Sequence, residues 1–144
     1  PRAVAASLRQ ADLLKLNADE LADLQGCFNG PASVDAGVGW LMADYRIRTV
    51  ALTLGSSGSQ LYHDGQTIQS PAASAATVVD TVGAGDAYAA VLAAGMLRRL
   101  SWHKIVGQAS RFAASVCGIP GAVPDDAGFY DDLRSILEEG SNGR

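Results

Sequence analysis

The sequence predicts an α/β fold in which helices cover both faces of a mostly parallel sheet. Apolar segments typical of β-strands alternate with helical segments along the 144 residues, and this alternation is the pattern of a sheet with parallel strands in its core. One two-residue turn, Asp64-Gly65, separates two short strand-like segments and predicts a β-hairpin. The expected architecture therefore has three layers, helix, sheet and helix, with one hairpin.

The first half of the chain is predicted to contain three helices and two strands. Asn17 is a suitable N-cap, and Glu20 follows three residues later, which is the spacing of a capping box. Ser33 is the expected cap of the next helix, and the apolar run RTVALTL is typical of a buried strand. The predicted elements are helices at 3–10, 17–24 and 33–45 and strands at 12–16 and 48–54.

The second half is predicted to contain the hairpin and three helices. Loops are expected at 55–58 and 71–76, where glycine and other small residues cluster. Ser101 is the expected cap of the second helix in this half. The hairpin strands are expected at 60–63 and 66–69, and the helices at 85–100, 102–117 and 128–138.

Composition excludes several classes of function. The formal net charge is −4 and no basic run exceeds Arg98-Arg99, which argues against a nucleic-acid or membrane-surface partner. The longest apolar run, 87–97, is too short to span a bilayer. Cys27 and Cys117 form no CxxC pair, so two reduced cysteines and a cytoplasmic location are expected.

A turn of small residues, Gly83-Ala84-Gly85, precedes the most apolar helix. Such a turn at a helix start is typical of a phosphate site, since backbone N–H groups converge there. The dinucleotide fingerprint fails, because its third small residue would fall on Tyr88. It also requires an acidic residue about twenty positions later, and none lies between Asp86 and Asp125.

Phosphoryl transfer is the second interpretation of this turn. Asp86 then accepts the proton of a substrate hydroxyl while the N–H groups of 83–86 neutralise the transferring phosphoryl group. The hydroxyl lies between the carboxylate and the phosphate, which reduces their repulsion. The alternative is that Asp86 only caps the helix.

Four motifs in this order resemble those of the ribokinase-like (pfkB) family of carbohydrate kinases. The run DTVGAGD at 80–86 is similar to the family's signature DTxGAGD. The run NADE at 17–20 resembles its N-x-x-E motif, and TLGSSG at 53–58 resembles its nucleotide-binding TxGxxG. The run GAVP at 121–124 resembles its GAxxP segment. The resemblance covers essentially the whole chain and implies the C-terminal half of the ribokinase-like αβα fold.

The resemblance also implies site residues and cofactors. It makes Asp86 the catalytic base of an ATP-dependent sugar kinase, and Asn17 with Glu20 the organisers of Mg²⁺ and phosphates through water. On the residues alone, the capping box is the simpler interpretation of that pair. The implied anion hole is Gly83, Ala84 and Gly85, and the implied nucleotide-binding residues are Asn17, Glu20, Thr53, Gly55, Gly58 and, near the adenine, Ser110.

A monovalent cation, K⁺, is also implied by the resemblance. Its expected ligands are Asp80, the carbonyl of Val82 and the loop around Gly121. A turn residue is the simpler interpretation of Asp80.

The resemblance implies that the family's sugar-binding part and small lid sheet lie outside residues 1–144, so one partial domain over 1–144 is expected, with little activity alone. A homodimer is a further expectation. The stretch CGIPGAVPDDAGFYDDL most resembles fructokinase-like members. Two alternatives stay open. They are a kinase for a nucleoside or another small alcohol, and a non-catalytic nucleotide-binding module.

Overall fold

The computed structural model describes residues 2–73, 78–131 and 133–135 and confirms the α/β class. The chain forms two compact units, residues 1–69 and 70–144. The helices and strands are α1 (Arg2–Leu8), β1 (Leu13–Asn17), α2 (Ala18–Phe28), α3 (Val34–Tyr45), β2 (Thr49–Thr53), β3 (Ser59–His63), β4 (Gln66–Ser70), α4 (Ala84–Leu97) and α5 (Trp102–Val116). Short 3₁₀ turns lie at Gly55–Ser57 and Ala127–Tyr130.

The first unit contains a four-stranded sheet in the order β1-β2-β3-β4. β1 and β2 run parallel, whereas β3 runs antiparallel to β2. The hairpin turn between β3 and β4 lies at Asp64 and Gly65, whose φ angles of 47° and 73° are the positive values that a tight two-residue turn requires. Among the described strands, the parallel pairing expected for most of the sheet is therefore confined to β1 and β2.

Helices of the first unit pack against the parallel pair of strands. α2 contacts α3 and β1, and α3 contacts β2. Aliphatic side chains fill the space between them, so burial of apolar surface is the main favourable contribution here. The fully or almost fully buried members of this core are Leu8, Leu16, Leu21, Val38, Leu41, Ile47, Val50 and Leu52.

Both predicted caps in the first unit are present. The Asn17 side chain accepts the N–H of Glu20 at 2.8 Å, and the Glu20 carboxylate accepts the N–H of Asn17 at 2.7 Å, which is the complete capping box. Ser33 caps α3. α2 is longer than predicted and ends at Asn29, whose left-handed backbone (φ 55°) stops the helix.

The second unit is built on the contact between α4 and α5. Gly95 of α4 lies against Ile105 of α5, and a Cβ at position 95 would come within 2.6 Å of the isoleucine side chain. Glycine therefore allows the two helices to approach closely. Ser101 caps α5 as predicted. Within the described part of the chain, no helix combines the length and apolar character needed to cross a membrane.

Two predicted helices in this unit have different bounds. α4 ends at Leu97 rather than 100, because Arg99 adopts a left-handed conformation (φ 56°) and the N–H of Leu100 bonds back to the carbonyl of Gly95 at 3.0 Å. The helix predicted at 128–138 begins instead as the 3₁₀ turn Ala127–Tyr130. Residue 132 and residues 136–138 of that prediction lie outside the described residues.

Tyr62 on β3 links the sheet to the start of α3. Its hydroxyl donates to Asp35 at 3.1 Å. Burial, with smaller contributions from the hydrogen bond and the charge of Asp35, raises the pKa of Tyr62 from 10.0 to about 12. Because the folded state holds this proton more tightly, the stabilisation is complete below pH 10 and is lost as the pH rises towards 12.

We expect an absorbance titration of the tyrosinates to contain one component with a midpoint near pH 12, which is absent in Tyr62→Phe. Asp35→Asn should move this midpoint only part of the way towards 10.0, because burial is the larger cause. A complete return to 10.0 in Asp35→Asn would contradict that order of causes.

Candidate functional site

The predicted site residues of the first unit gather where β1 and β2 end. Asn17 is the last residue of β1, Thr53 is the last residue of β2, and the two are register partners in the parallel pair. Ligands of α/β proteins bind beyond the carboxyl ends of parallel strands. The register thus brings together the N-x-x-E and TxGxxG motifs, as the sequence predicts for a nucleotide site.

The loop after β2 is a compact turn shaped by its two glycines. Gly55 and Gly58 have φ angles of 56° and 90°, which residues with a Cβ rarely adopt. The N–H of Leu54 donates to the carbonyl of Gly58 at 2.8 Å and closes the turn. A backbone of this shape, free of side chains at two positions, allows a phosphate or ribose to approach closely.

Asn17 supplies an amide group and Glu20 a carboxylate at this same edge of the sheet. The capping box uses the Asn17 Oδ1 and Glu20 Oε2 atoms, so the structural interpretation of this pair is confirmed. Mg²⁺ keeps several waters and needs only one or two carboxylates together with substrate phosphates. The pair fits such a hydrated ion, whereas the described residues contain no group of three or more His, Cys, Asp or Glu placed to hold a metal ion by themselves.

The glycine turn of the second unit leads directly into α4. Gly83 is the N-cap residue with a φ of 84°, and no side chain caps this helix. The first N–H groups of a helix have no intrahelical acceptor. The N–H of Ala84 donates to the carbonyl of Thr81 at 3.3 Å, so the N–H groups that follow it are the donors that the start of α4 offers to an anion. Asp86 is exposed and is the third residue of α4. It makes no side-chain cap there, so the capping interpretation of Asp86 is wrong.

Asp80 holds this turn against a second loop. Its Oδ1 accepts the N–H of Val82 at 3.0 Å, and its Oδ2 accepts the N–H of Gly121 at 3.3 Å. The Val82 bond is the main reason that the pKa of Asp80 lies below its ordinary value of 3.8, with smaller contributions from the N–H groups of Gly121 and Thr81 and an opposing effect of burial. The carboxylate is therefore negative at neutral pH, as a cation site would need.

Two backbone contacts of this turn could not be recognised from the sequence. A Cβ at Gly83 would lie 2.5 Å from the Cβ of Ala122, so the two backbones touch. The carbonyl of Cys117 accepts the N–H groups of Val79 at 2.8 Å and Asp80 at 3.2 Å. The GAVP motif marks Ala122, but nothing in the sequence marks the Cys117 carbonyl.

The structure thus places the predicted site residues in two groups, one in each unit. Asn17, Glu20, Thr53, Gly55 and Gly58 lie in the first unit, and Asp80, Val82, Gly83, Ala84, Gly85, Asp86 and Gly121 lie in the second. Ser110 lies in the middle of α5 and is partly buried.

Gly83→Ala should destabilise the second unit. The left-handed backbone costs about 1–2 kcal/mol for a residue with a Cβ, and the clash with Ala122 adds about 1–3 kcal/mol. We expect the free energy of unfolding, measured by urea denaturation, to fall by about 2 kcal/mol or more. Gly107→Ala is the matched control, because a Cβ there meets nothing within 4 Å in α5. Equal stability of the two variants would contradict the contact.

Comparisons of the sequence and of the structure with known proteins both find kinases of sugars or nucleosides. Residues 1–126 match the model of the pfkB family carbohydrate kinases. The chain is 31% identical over 135 residues to a ribokinase of Arabidopsis thaliana, which covers 91% of this chain and 34% of that protein. The chain therefore spans about a third of the length of this curated relative.

Solved structures of similar fold include two kinases of nucleoside-type compounds. Adenosine kinase from Sinorhizobium meliloti superposes with a TM-score of 0.78 at 25% identity, over 92% of this chain and 39% of that one. Aminoimidazole riboside kinase from Salmonella enterica was solved in complex with aminoimidazole riboside and an ATP analogue. It superposes with a TM-score of 0.74 at 28% identity, over 93% of this chain and 44% of that one. Since the family model matches most of its length, this chain belongs to the pfkB family of carbohydrate kinases.

Proposed function

We propose that residues 1–144 are the nucleotide-binding, C-terminal part of an ATP-dependent kinase that phosphorylates a hydroxyl of a sugar. The observation that carries the proposal is the start of α4, where the N-cap Gly83 leaves the first-turn N–H groups without a side-chain cap and Asp86 lies in the same turn. Donors for a transferring phosphoryl group and a carboxylate base are thus adjacent. The relatives' greater length supports a separate acceptor-binding part.

In the proposed reaction, Asp86 accepts the proton of the acceptor hydroxyl. The hydroxyl oxygen forms a bond to the γ-phosphorus as the bond from that phosphorus to ADP breaks. The N–H groups of Gly83, Ala84 and Gly85 neutralise the charge that develops on the phosphoryl oxygens. Positioning and electrostatics of this kind account for most of the catalysis in phosphoryl transfer.

In the first unit, Thr53, Gly55 and Gly58 are proposed to contact the nucleotide. Their place beyond the carboxyl ends of β1 and β2 supports this. Asn17 and Glu20 are proposed to orient water molecules around Mg²⁺, which would neutralise phosphate charge when bound. Ser110 is proposed to lie near the adenine, on the resemblance of its segment alone.

A monovalent cation, K⁺, is proposed beside the glycine turn. The position of the Asp80 carboxylate between Val82 and Gly121 supports this, because a carboxylate attracts a cation. Asp80, the carbonyl of Val82 and the loop around Gly121 are the proposed ligands. The cytoplasmic location and the homodimer expected from the sequence stay predictions.

The acceptor is the least constrained part of this proposal. The stretch 117–133 favours a fructokinase-like sugar kinase. The similarity in structure to adenosine kinase and aminoimidazole riboside kinase favours a nucleoside acceptor instead. A polypeptide that joins residues 1–144 to an acceptor-binding part can distinguish a sugar acceptor from a nucleoside acceptor. Its turnover would be measured with fructose, ribose and adenosine.

Asp86→Asn should abolish phosphoryl transfer and leave ATP binding almost unchanged. Loss of a general base typically lowers kcat by about 10²–10⁴-fold, whereas the backbone donors of the turn remain. ADP release reports turnover, and calorimetric titration with Mg-ATP, with NADH as comparator, reports binding. Asp44→Asn removes an exposed carboxylate of α3 as the control. Full turnover in Asp86→Asn would contradict the base, and binding without turnover in the unaltered protein would favour a non-catalytic module.

Glu20→Gln separates the structural role of this residue from its proposed role at Mg²⁺. A glutamine side chain can still accept the N–H of Asn17, so the capping box and stability should persist. The lost charge should weaken Mg-ATP binding about tenfold, equivalent to about 1.4 kcal/mol. Asn17→Ala is the contrasting variant, because it removes the cap and should cost about 1 kcal/mol of stability. Unchanged Mg-ATP affinity in Glu20→Gln would leave Glu20 with its capping role only.

A further inference from the structure

The 118–126 loop, which follows α5, contacts the glycine turn at two points. Gly121 donates its N–H to Asp80, and Ala122 lies against Gly83. Both contacts involve only short polar or methyl groups, so they depend on the position of the loop backbone. A shift of the loop would therefore displace the residues that begin α4.

The 118–126 loop contains no helix or strand, so its conformation depends on these two contacts and on the contacts at its ends. Ala122 and Val123 are exposed, the latter by 74%. The first end continues the last turn of α5, where the N–H of Gly118 donates to the carbonyl of Ser115 at 3.0 Å. The second end is the 3₁₀ turn at 127–130, capped by Asp126 through the N–H of Gly128 at 2.9 Å.

Three aromatic rings fasten this second end to α5. Phe112 of α5 lies 5.9 Å from the ring centroid of Phe129 and 5.9 Å from that of Tyr130. The Phe129 and Tyr130 rings are 5.7 Å apart and nearly perpendicular, at 77°. Rings at these distances and angles attract one another beyond the area that they bury. We name Phe112, Phe129 and Tyr130 the aromatic trio.

We propose that Phe129 is a positioning residue for the glycine turn: its ring packs in the aromatic trio and holds the 118–126 loop against Asp80 and Gly83. The loop then keeps the N–H donors at the start of α4 in a fixed arrangement for an anion. Phe129 touches no substrate in this proposal. It rests on the proposed function only in the identity of the anion, which is a phosphoryl group.

The alternative is that the trio contributes only to stability. A purely structural role predicts that Phe129→Ala lowers the unfolding midpoint while the folded molecules keep their affinity for anions. A positioning role predicts in addition a weaker affinity of the folded molecules and a looser Gly121. Measuring stability, anion affinity and Gly121 exchange on the same samples separates these roles.

The experiment uses the 144-residue chain and two probes. Inorganic pyrophosphate with Mg²⁺ is titrated by calorimetry, and exchange of the Gly121 amide hydrogen is followed by NMR. We expect Phe129→Ala to weaken pyrophosphate binding about tenfold and to accelerate Gly121 exchange about tenfold. Phe129→Tyr keeps a ring, so its pyrophosphate affinity and its Gly121 exchange rate should stay close to those of the unaltered protein. Phe28→Ala removes a ring paired with Tyr45 in the first unit and should change neither.

Phe129→Leu is the second variant if Phe129→Ala unfolds the second unit, because leucine keeps apolar volume without a ring. The pyrophosphate affinity and the Gly121 exchange rate of Phe129→Leu should lie between those of the unaltered protein and those expected for Phe129→Ala. Unchanged pyrophosphate affinity and Gly121 exchange in a folded variant at position 129 would overturn the proposal. If the unaltered chain binds neither pyrophosphate nor Mg-ATP, the proposed function fails, but Gly121 exchange still decides whether Phe129 positions the loop.

Discussion

The candidate site of the second unit depends on the Asp80 carboxylate. This group joins two loops that are 41 positions apart, through the N–H of Val82 at 3.0 Å and that of Gly121 at 3.3 Å. Hydrogen bonds to an ionised acceptor are stronger than those between neutral groups, and the lowered pKa of Asp80 keeps it ionised. Because the turn that it shapes leads straight into α4, this carboxylate fixes where the helix begins.

The start of α4 differs from those of α2, α3 and α5 for a physical reason. α2, α3 and α5 begin with side-chain caps from Asn17, Ser33 and Ser101. At the corresponding position of α4 stands Gly83, which adopts a left-handed backbone and lies against Ala122. A capping side chain cannot fit there, so the N–H groups of the first turn have no side-chain cap. The same contact thus determines both the packing of this turn and the lack of a capping side chain at the start of α4.

The sequence predicts those elements whose signals are local. The capping box at Asn17, the caps at Ser33 and Ser101 and the hairpin turn at 64–65 were all predictable, because each involves residues a few positions apart. The end of α4 was not, since Arg99 is left-handed without being a glycine. The register that pairs Asn17 with Thr53, and the aromatic trio, arise from contacts between distant segments, which no local pattern encodes.

A carboxylate and a phosphate at one helix start are compatible if they meet different groups. The partial positive charge of the helix favours either anion, so Asp86 would be a competitor if it lay at the N-cap. It is instead the third residue of α4, three positions after the N-cap Gly83. Its carboxylate forms no cap, and its side chain is exposed. A hydroxyl placed between the two anions is attracted by both, as donor to the carboxylate and as nucleophile towards the phosphorus.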